Sequence, residues 1–93
     1  MGEQRYNGER INWSAHARDY EVRRGFQALE VEDAIREADW DLNNRGKIEC
    51  RKAFVFDDVW NKKYYRTKEV RPVFALEDGV ITIITVYTYY YSL

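Results

Sequence analysis

The sequence predicts an α+β domain with helices in its first half and an antiparallel sheet in its second. Three observations predict it. Val31, Ala34, Ile35 and Ala38 recur at helical spacing, with the neighbouring acids off that stripe. From Lys47 onward the pattern changes to strand alternation, densest in the run 80–91 of β-branched and aromatic residues. Asp78 and Gly79 then separate two such runs, which is the signature of a tight hairpin.

The elements follow in order. Residues 10–13 read as a short strand or extended lead-in. Ser14 is an N-cap, its hydroxyl able to accept from free N–H groups of the next turn. A first helix spans 15–24, with Ala15, Val22 and Phe26 as a thin apolar stripe. Arg23 and Arg24 suit its C-terminal dipole, and Gly25 suits the left-handed position that ends it. A second helix spans 28–39, where Gln27 and Glu30 have capping-box spacing. Residues 39–46 read as a loop pinned by Trp40 and Leu42.

Residues 47–57 form either one long strand or a loop followed by a strand at 53–57. A turn at 57–60 leads to a strand at 61–66. Residues 70–77 alternate, with Val70, Pro72, Phe74 and Leu76 on one face; Pro72 cannot donate to a ladder and so marks an edge or a bulge. The run 80–91 is apolar on both faces, as in a central strand. Strand geometry puts Tyr87, Tyr89 and Tyr91 on one of its faces and Tyr90 on the other.

The 93 residues fit one domain, with residues 1–9 as a loosely ordered tail. The composition, 45% hydrophobic and 16% aromatic, supplies one modest core. Cys50 is the only cysteine, so an internal disulfide or a cysteine zinc site is excluded. The polar N-terminus lacks the apolar core of a signal peptide, and no apolar run is long enough to span a bilayer. The expectation is a cytoplasmic protein without membrane contact.

Net charge is −1, but charge is unevenly spread. Residues 26–44 carry six acids against Arg36. Residues 45–71 carry nine bases against Glu49, Asp57, Asp58 and Glu69. The two halves either pair with each other or leave a basic sheet face for nucleic acid or an acidic partner. The C-terminal tyrosines either pack across strands with hydroxyls at the rim or offer a stacking platform.

No phosphate-binding glycine loop, HExxH motif or EF-hand is present, and the lone His16 rules out a multi-histidine metal site. The expectation is a protein without metal or cofactor. The remaining tools are His16, Arg, Lys, Tyr and carboxylates. They suit one reaction class, metal-independent RNA cleavage by attack of the 2′-hydroxyl on its own phosphate. That chemistry needs a base, an acid and positive charge on the phosphorane. His16 is either a capping or core-rim histidine, or a neutral imidazole at a helix N-terminus serving as general base.

A set of short motifs adds to this reading: Ile11, Trp13, Ser14, His16 and Ala17; then Arg24, Gly25 and Phe26; then Glu30, Val31, Ala34 and Ile35; then Arg71 to Phe74 and the strands around Asp78, Gly79 and Thr85 to Tyr87. Across about residues 11–88 the chain resembles a small bacterial family of unknown function marked by a His-Ala … Arg-Gly helix. That family is similar to BrnT-type toxins and distantly to the RelE/ParE toxin superfamily. The resemblance implies two N-terminal helices packed on one face of a three- to four-stranded twisted antiparallel sheet. It also implies a toxin-like ribonuclease, or a degenerate relative, neutralised by an antitoxin protein. The family often carries an Arg four residues after the histidine, where this chain has Tyr20. The stretch 60–65 and the Tyr-rich end also depart from BrnT-like sequences.

The catalytic candidates are therefore His16, Tyr65, Arg71 and Tyr87, with Arg51, Lys52, Lys63 and Arg66 as RNA-binding cations. The alternative is a non-catalytic protein- or RNA-binding module with a basic sheet face. An exposed edge near Pro72 or the Tyr-rich end would also allow a homodimer. The enzyme reading expects the mid-chain cations to converge on one exposed sheet surface near the imidazole.

Overall fold

The computed structural model describes residues 5–43 and 45–92. Residues 1–4 of the expected tail, and Asn44 of the expected 39–46 loop, lie outside the described residues. Within the described part of the tail, Arg5 pairs with Asp39 and Tyr6 packs against the core.

Strand β1 (Arg10–Trp13) leads into helix α1 (Ala15–Arg24). Ser14 caps α1, its hydroxyl accepting from Ala17 N at 3.0 Å. Gly25 ends α1 at φ 74°, a conformation open to glycine at little steric penalty. Helix α2 (Ala28–Glu37) starts where Gln27 N donates to Glu30 Oε1 at 2.9 Å. Its buried stripe is Val31, Ala34 and Ile35, as the spacing predicts. Strands β2 (Asp41–Leu42), β3 (Ile48–Glu49), β4 (Lys52–Trp60), β5 (Lys63–Glu77) and β6 (Val80–Tyr91) follow.

The expected three- to four-stranded antiparallel sheet is corrected. Among the described residues the sheet has six strands and is mixed, in the order β1-β6-β5-β3-β2, with β4 also on β5. The parallel pair is β1 with β6, Arg10 opposite Val80 through Trp13 opposite Ile83. The helical crossover between β1 and the later strands makes that direction attainable, since parallel neighbours need a long connection. The extra strands come from splitting: β3 and β4 occupy successive stretches of the same side of β5, against residues 73–74 and 63–70.

Several local expectations also change. Pro72 is buried inside the sheet, opposite Val86, and not on an open edge. It sits across from the Cys50–Arg51 break between β3 and β4, where no ladder donor is required, and its carbonyl accepts from Cys50 N. The turn expected at 57–60 is instead a bulge within β4, between Val55 and Asp58, with Asp57 at φ 44°. The chain reverses at Asn61 and Lys62, both at positive φ. The 39–46 loop contains β2; of its two expected pins Leu42 is 72% exposed, while Trp40 is buried and donates Nε1–H to Ile35 O. In α1 the core contact is Ala17, while Val22 is 86% exposed.

The core lies between the helices and one sheet face: Phe26, Val31, Ile35, Trp40, Val70, Phe74, Ile81, Ile83 and Val86. The helices cover that face only, which leaves the opposite face of β5 and β6 without a helix. Cys50 is buried on the covered side and donates to Ala34 O at 3.4 Å. Burial first, then the charges of Asp41 and Glu49, push its thiol up to about 12. At pH 8 the native thiol is expected to react with Ellman's reagent far more slowly than the same chain in denaturant. Equal rates would contradict this burial.

Candidate functional site

The route of α1 determines the site. Trp13 ends the β1 ladder opposite Ile83, so the outer side of β6 beyond that residue is not paired with a strand. Helix α1 occupies this side. Ser14 N donates to Ile83 O and Ser14 Oγ to Ile84 O. One Nη of Arg24 donates to Val86 O at 2.6 Å and to Thr85 Oγ1 at 3.4 Å. At the far end Tyr90 Oη donates to Arg24 O.

His16, Tyr20 and Arg24 stand at i, i+4 and i+8 on α1, and so share one face of it. The exposed His16 ring meets Tyr20 edge-on at 4.8 Å. The Arg24 guanidinium lies 3.7 Å from the Tyr20 ring centre and 5.0 Å from that of Tyr87. Tyr87 is the cross-strand partner of Arg71, and Arg71 lies 5.0 Å from the ring centre of Tyr89. These contacts connect a row of rings and cations from the start of α1, over the β6 edge, onto the helix-free sheet face. Tyr87 and Tyr89 are 43% and 44% exposed.

Glu69 organises the β5 side of this row. It takes Arg71 Nη2 at 2.9 Å on one oxygen and Tyr91 Oη at 3.4 Å on the other. The hydrogen bond to Glu69 outweighs the opposing effect of burial and holds Arg71 more firmly charged than an isolated arginine. Arg71 Nε is buried without a partner among the described residues. Burial, and then Glu69, raise the Tyr91 hydroxyl above its ordinary value.

Two shallow grooves open on the same face. One, of about 420 Å³, is lined by Tyr87, Thr85, Ile84, Val73 and Glu49, with Asn43, Arg45 and Lys47 at its other side. Lys47 and Ile84 also line the second, which ends at Glu77 and Asp78. A bulge between Val73 and Phe74 on the β5–β6 ladder makes Ile84 an extra residue, which brings it into both grooves.

The predicted site residues divide accordingly. His16, Tyr87 and Arg71 are brought onto the row, and Arg51 joins Arg71 in a small pocket shared with Asp41, Glu49 and Cys50. Lys52 turns to the helical side and pairs with Glu37 at 2.9 Å. Lys63 lies over the Tyr65 ring, and Tyr65 packs toward Tyr90, at the β4–β5 hairpin and away from the row. Arg66 is exposed on β5, its backbone N–H donating to Ser92 Oγ. The cations do not converge on a single surface. Lys52 and Lys68 are neutralised by acids of α2, Lys68 at 2.8 Å from Glu30 and only 4% exposed.

Tyr20 and Arg24 escaped the sequence reading as site residues, and Tyr89 entered it only as one of the tyrosines of a stacking platform. The i, i+4, i+8 spacing of His16, Tyr20 and Arg24 was the available signal. Arg24 stands one turn after Tyr20 and lays its guanidinium on the Tyr20 ring. Among the described residues, no group of three or more His, Cys, Asp or Glu is placed to hold a metal ion, and no helix is long and apolar enough to cross a membrane.

No protein-family model matches this chain, and no curated protein or solved structure matches it. The likeness to BrnT-type toxins therefore rests on its short motifs.

Proposed function

We propose that this domain is an RNA-binding module whose ligand is a single strand laid along the row from His16 to Tyr89. The supporting observation is the continuous alternation of rings and guanidiniums: Tyr20, Arg24, Tyr87, then Arg71 and Tyr89. Bases of any identity stack on exposed aromatic rings, while guanidiniums meet the phosphates between them. The helix-free face and the open grooves leave room for an extended chain.

Tyr87→Ala and Tyr89→Ala test this reading, because both rings are half in solvent and contribute little to the core. Each is expected to weaken binding of a labelled single-stranded RNA roughly tenfold or more, at nearly unchanged thermal stability. Wild-type binding is expected to fall steeply with added salt. Absence of RNA binding at low salt, with a tight protein partner in its place, would contradict the reading.

A second reading is the toxin-like, metal-independent ribonuclease. One observation favours it: an exposed imidazole stands on the same row as two guanidiniums. In that chemistry the RNA's own 2′-hydroxyl attacks phosphorus and the 5′-oxygen leaves with a proton. His16 would move a proton, and Arg24, across the Tyr20 ring, is the guanidinium of the row closest to it along α1; the mid-chain cations do not converge there. His16→Ala then abolishes cleavage and spares binding; a wild type that binds RNA without cleaving it removes this reading and leaves the first. The ribonuclease reading carries with it an antitoxin that covers the row. Both readings place the domain in the cytoplasm, where RNA is met.

A further inference from the structure

We infer that the groove beside Tyr87 holds one base of the bound strand and that this base is guanine. The inference deepens the proposed RNA reading and rests on it. Its starting point is Glu49. On β3, Glu49 pairs across to Val73 and so stands on the helix-free face, where it lines the 420 Å³ groove together with Tyr87.

The Glu49 carboxylate is held from one side. Its Oε2 accepts from Asn43 Nδ2 at 3.2 Å. Asn43 is itself fixed, because its Oδ1 accepts the backbone N–H groups of Arg45 and Lys47 at 2.9 and 3.0 Å. Its amide therefore has the orientation in which nitrogen faces Glu49. Glu49 Oε1 accepts no hydrogen bond among the described residues, and Glu49 makes no ion pair with them, although Arg45 and Lys47 line the same groove. Asp41 stands directly opposite on β2, and Arg51 and Arg71 line the small pocket that Glu49 also borders, yet neither of these cations forms an ion pair with Glu49 among the described residues, which leaves Oε1 open to a ligand's donors.

The groove surrounding this carboxylate suits a base. Val73 and Ile84 give it apolar surface and Tyr87 an aromatic wall. Arg45 and Lys47 at its margin suit the flanking phosphates. Among the four bases, only guanine presents two adjacent donors, N1–H and the 2-amino group, on its Watson–Crick edge. Adenine, cytosine and uracil each present one there. A carboxylate accepts such a pair side by side, as it accepts a guanidinium.

The test uses the full chain and labelled oligouridylates carrying a single central G, A, C or inosine, followed by fluorescence anisotropy. The G-containing strand is expected to bind roughly tenfold tighter than the others. Inosine, which lacks the 2-amino group, is expected to lose most of that advantage on the unaltered protein. Glu49→Gln is expected to bring all strands to the affinity of the oligouridylate. Equal binding of all strands by wild type overturns the guanine inference and leaves the RNA reading standing. No binding of any strand overturns both. Glu49-dependent binding of an arginine-containing peptide in place of RNA also overturns it, since a guanidinium offers the same paired donors.

Discussion

Gly25→Ala is expected to lower the melting temperature by roughly 10–20 °C, from a loss of about 2–4 kcal/mol. Two causes add. At φ 74° a side chain is strained by about 1–2 kcal/mol. An added Cβ would also stand 2.6 and 2.8 Å from the Trp60 ring and closer still to the Tyr90 hydroxyl. These are side-chain contacts in a ring-packed corner, where Trp60 stacks on Tyr90 at 5.1 Å and Tyr90 also meets Phe56. Something in that corner must shift, and the C-terminus of α1 shifts with it. RNA binding is expected to weaken as well, because Arg24 directly precedes the affected residue. A melt within 1 °C of wild type would contradict the close approach. The same corner has an alkaline signature. Burial first, then Glu30, push the Tyr90 hydroxyl up to about 12 from an ordinary 10. A raised folded value means that the contribution is complete below pH 10 and is lost as pH rises toward 12. Tyr90→Phe is expected to remove that part of the alkaline loss.

Lys68→Met is expected to lose about 3–5 kcal/mol, because it leaves Glu30 facing a buried site without its cation. Lys68 Nζ reaches Glu30 Oε1 at 2.8 Å and Gly25 O at 3.2 Å, under the Phe56 ring. One ammonium thereby joins β5, the end of α1 and the start of α2. Changing both partners, Lys68→Met with Glu30→Leu, is expected to recover most of the loss, since an apolar pair of similar volume often replaces a buried ion pair without penalty. A residual deficit of about 1 kcal/mol remains from the α2 cap, which Glu30 also supplies to Gln27 N. Chemical denaturation of the three variants checks the ranking. A Lys68→Met protein as stable as wild type would show that the pair contributes nothing.

Much of the fold was legible because local signals were strong. Ser14, Gly25, the Val31–Ala34–Ile35 stripe, the hairpin at Asp78 and Gly79, and the alternation of Tyr87, Tyr89 and Tyr91 all act through nearest neighbours in the chain. The sheet size and its parallel pair were not legible. Whether residues 10–13 join residues 80–83 is decided by a contact spanning about seventy residues, which no local pattern encodes. The β4–β5 turn was misplaced because Asp57 and Asp58, ordinary turn residues, form a bulge, while Asn61 and Lys62 take positive φ without a glycine.

The site was legible by half for the same reason. His16, Arg71 and Tyr87 stood out by chemistry, but the charge runs gave no hint of which cations would be consumed. Lys52 and Lys68 meet α2 acids. Arg24 read as a dipole-matching residue at a helix end. It became part of the row only because α1 lies along β6 and places it between two rings.

Backbone and side-chain NMR shift mapping on the full chain, titrated with a short single-stranded RNA at low salt, tests the central claim most directly. The account predicts saturable changes concentrated at Tyr20, Arg24, Arg71, Tyr87 and Tyr89, with α2 and the β4 edge unaffected. Changes confined to α2 or to the β4–β5 hairpin, or none at all, would contradict it.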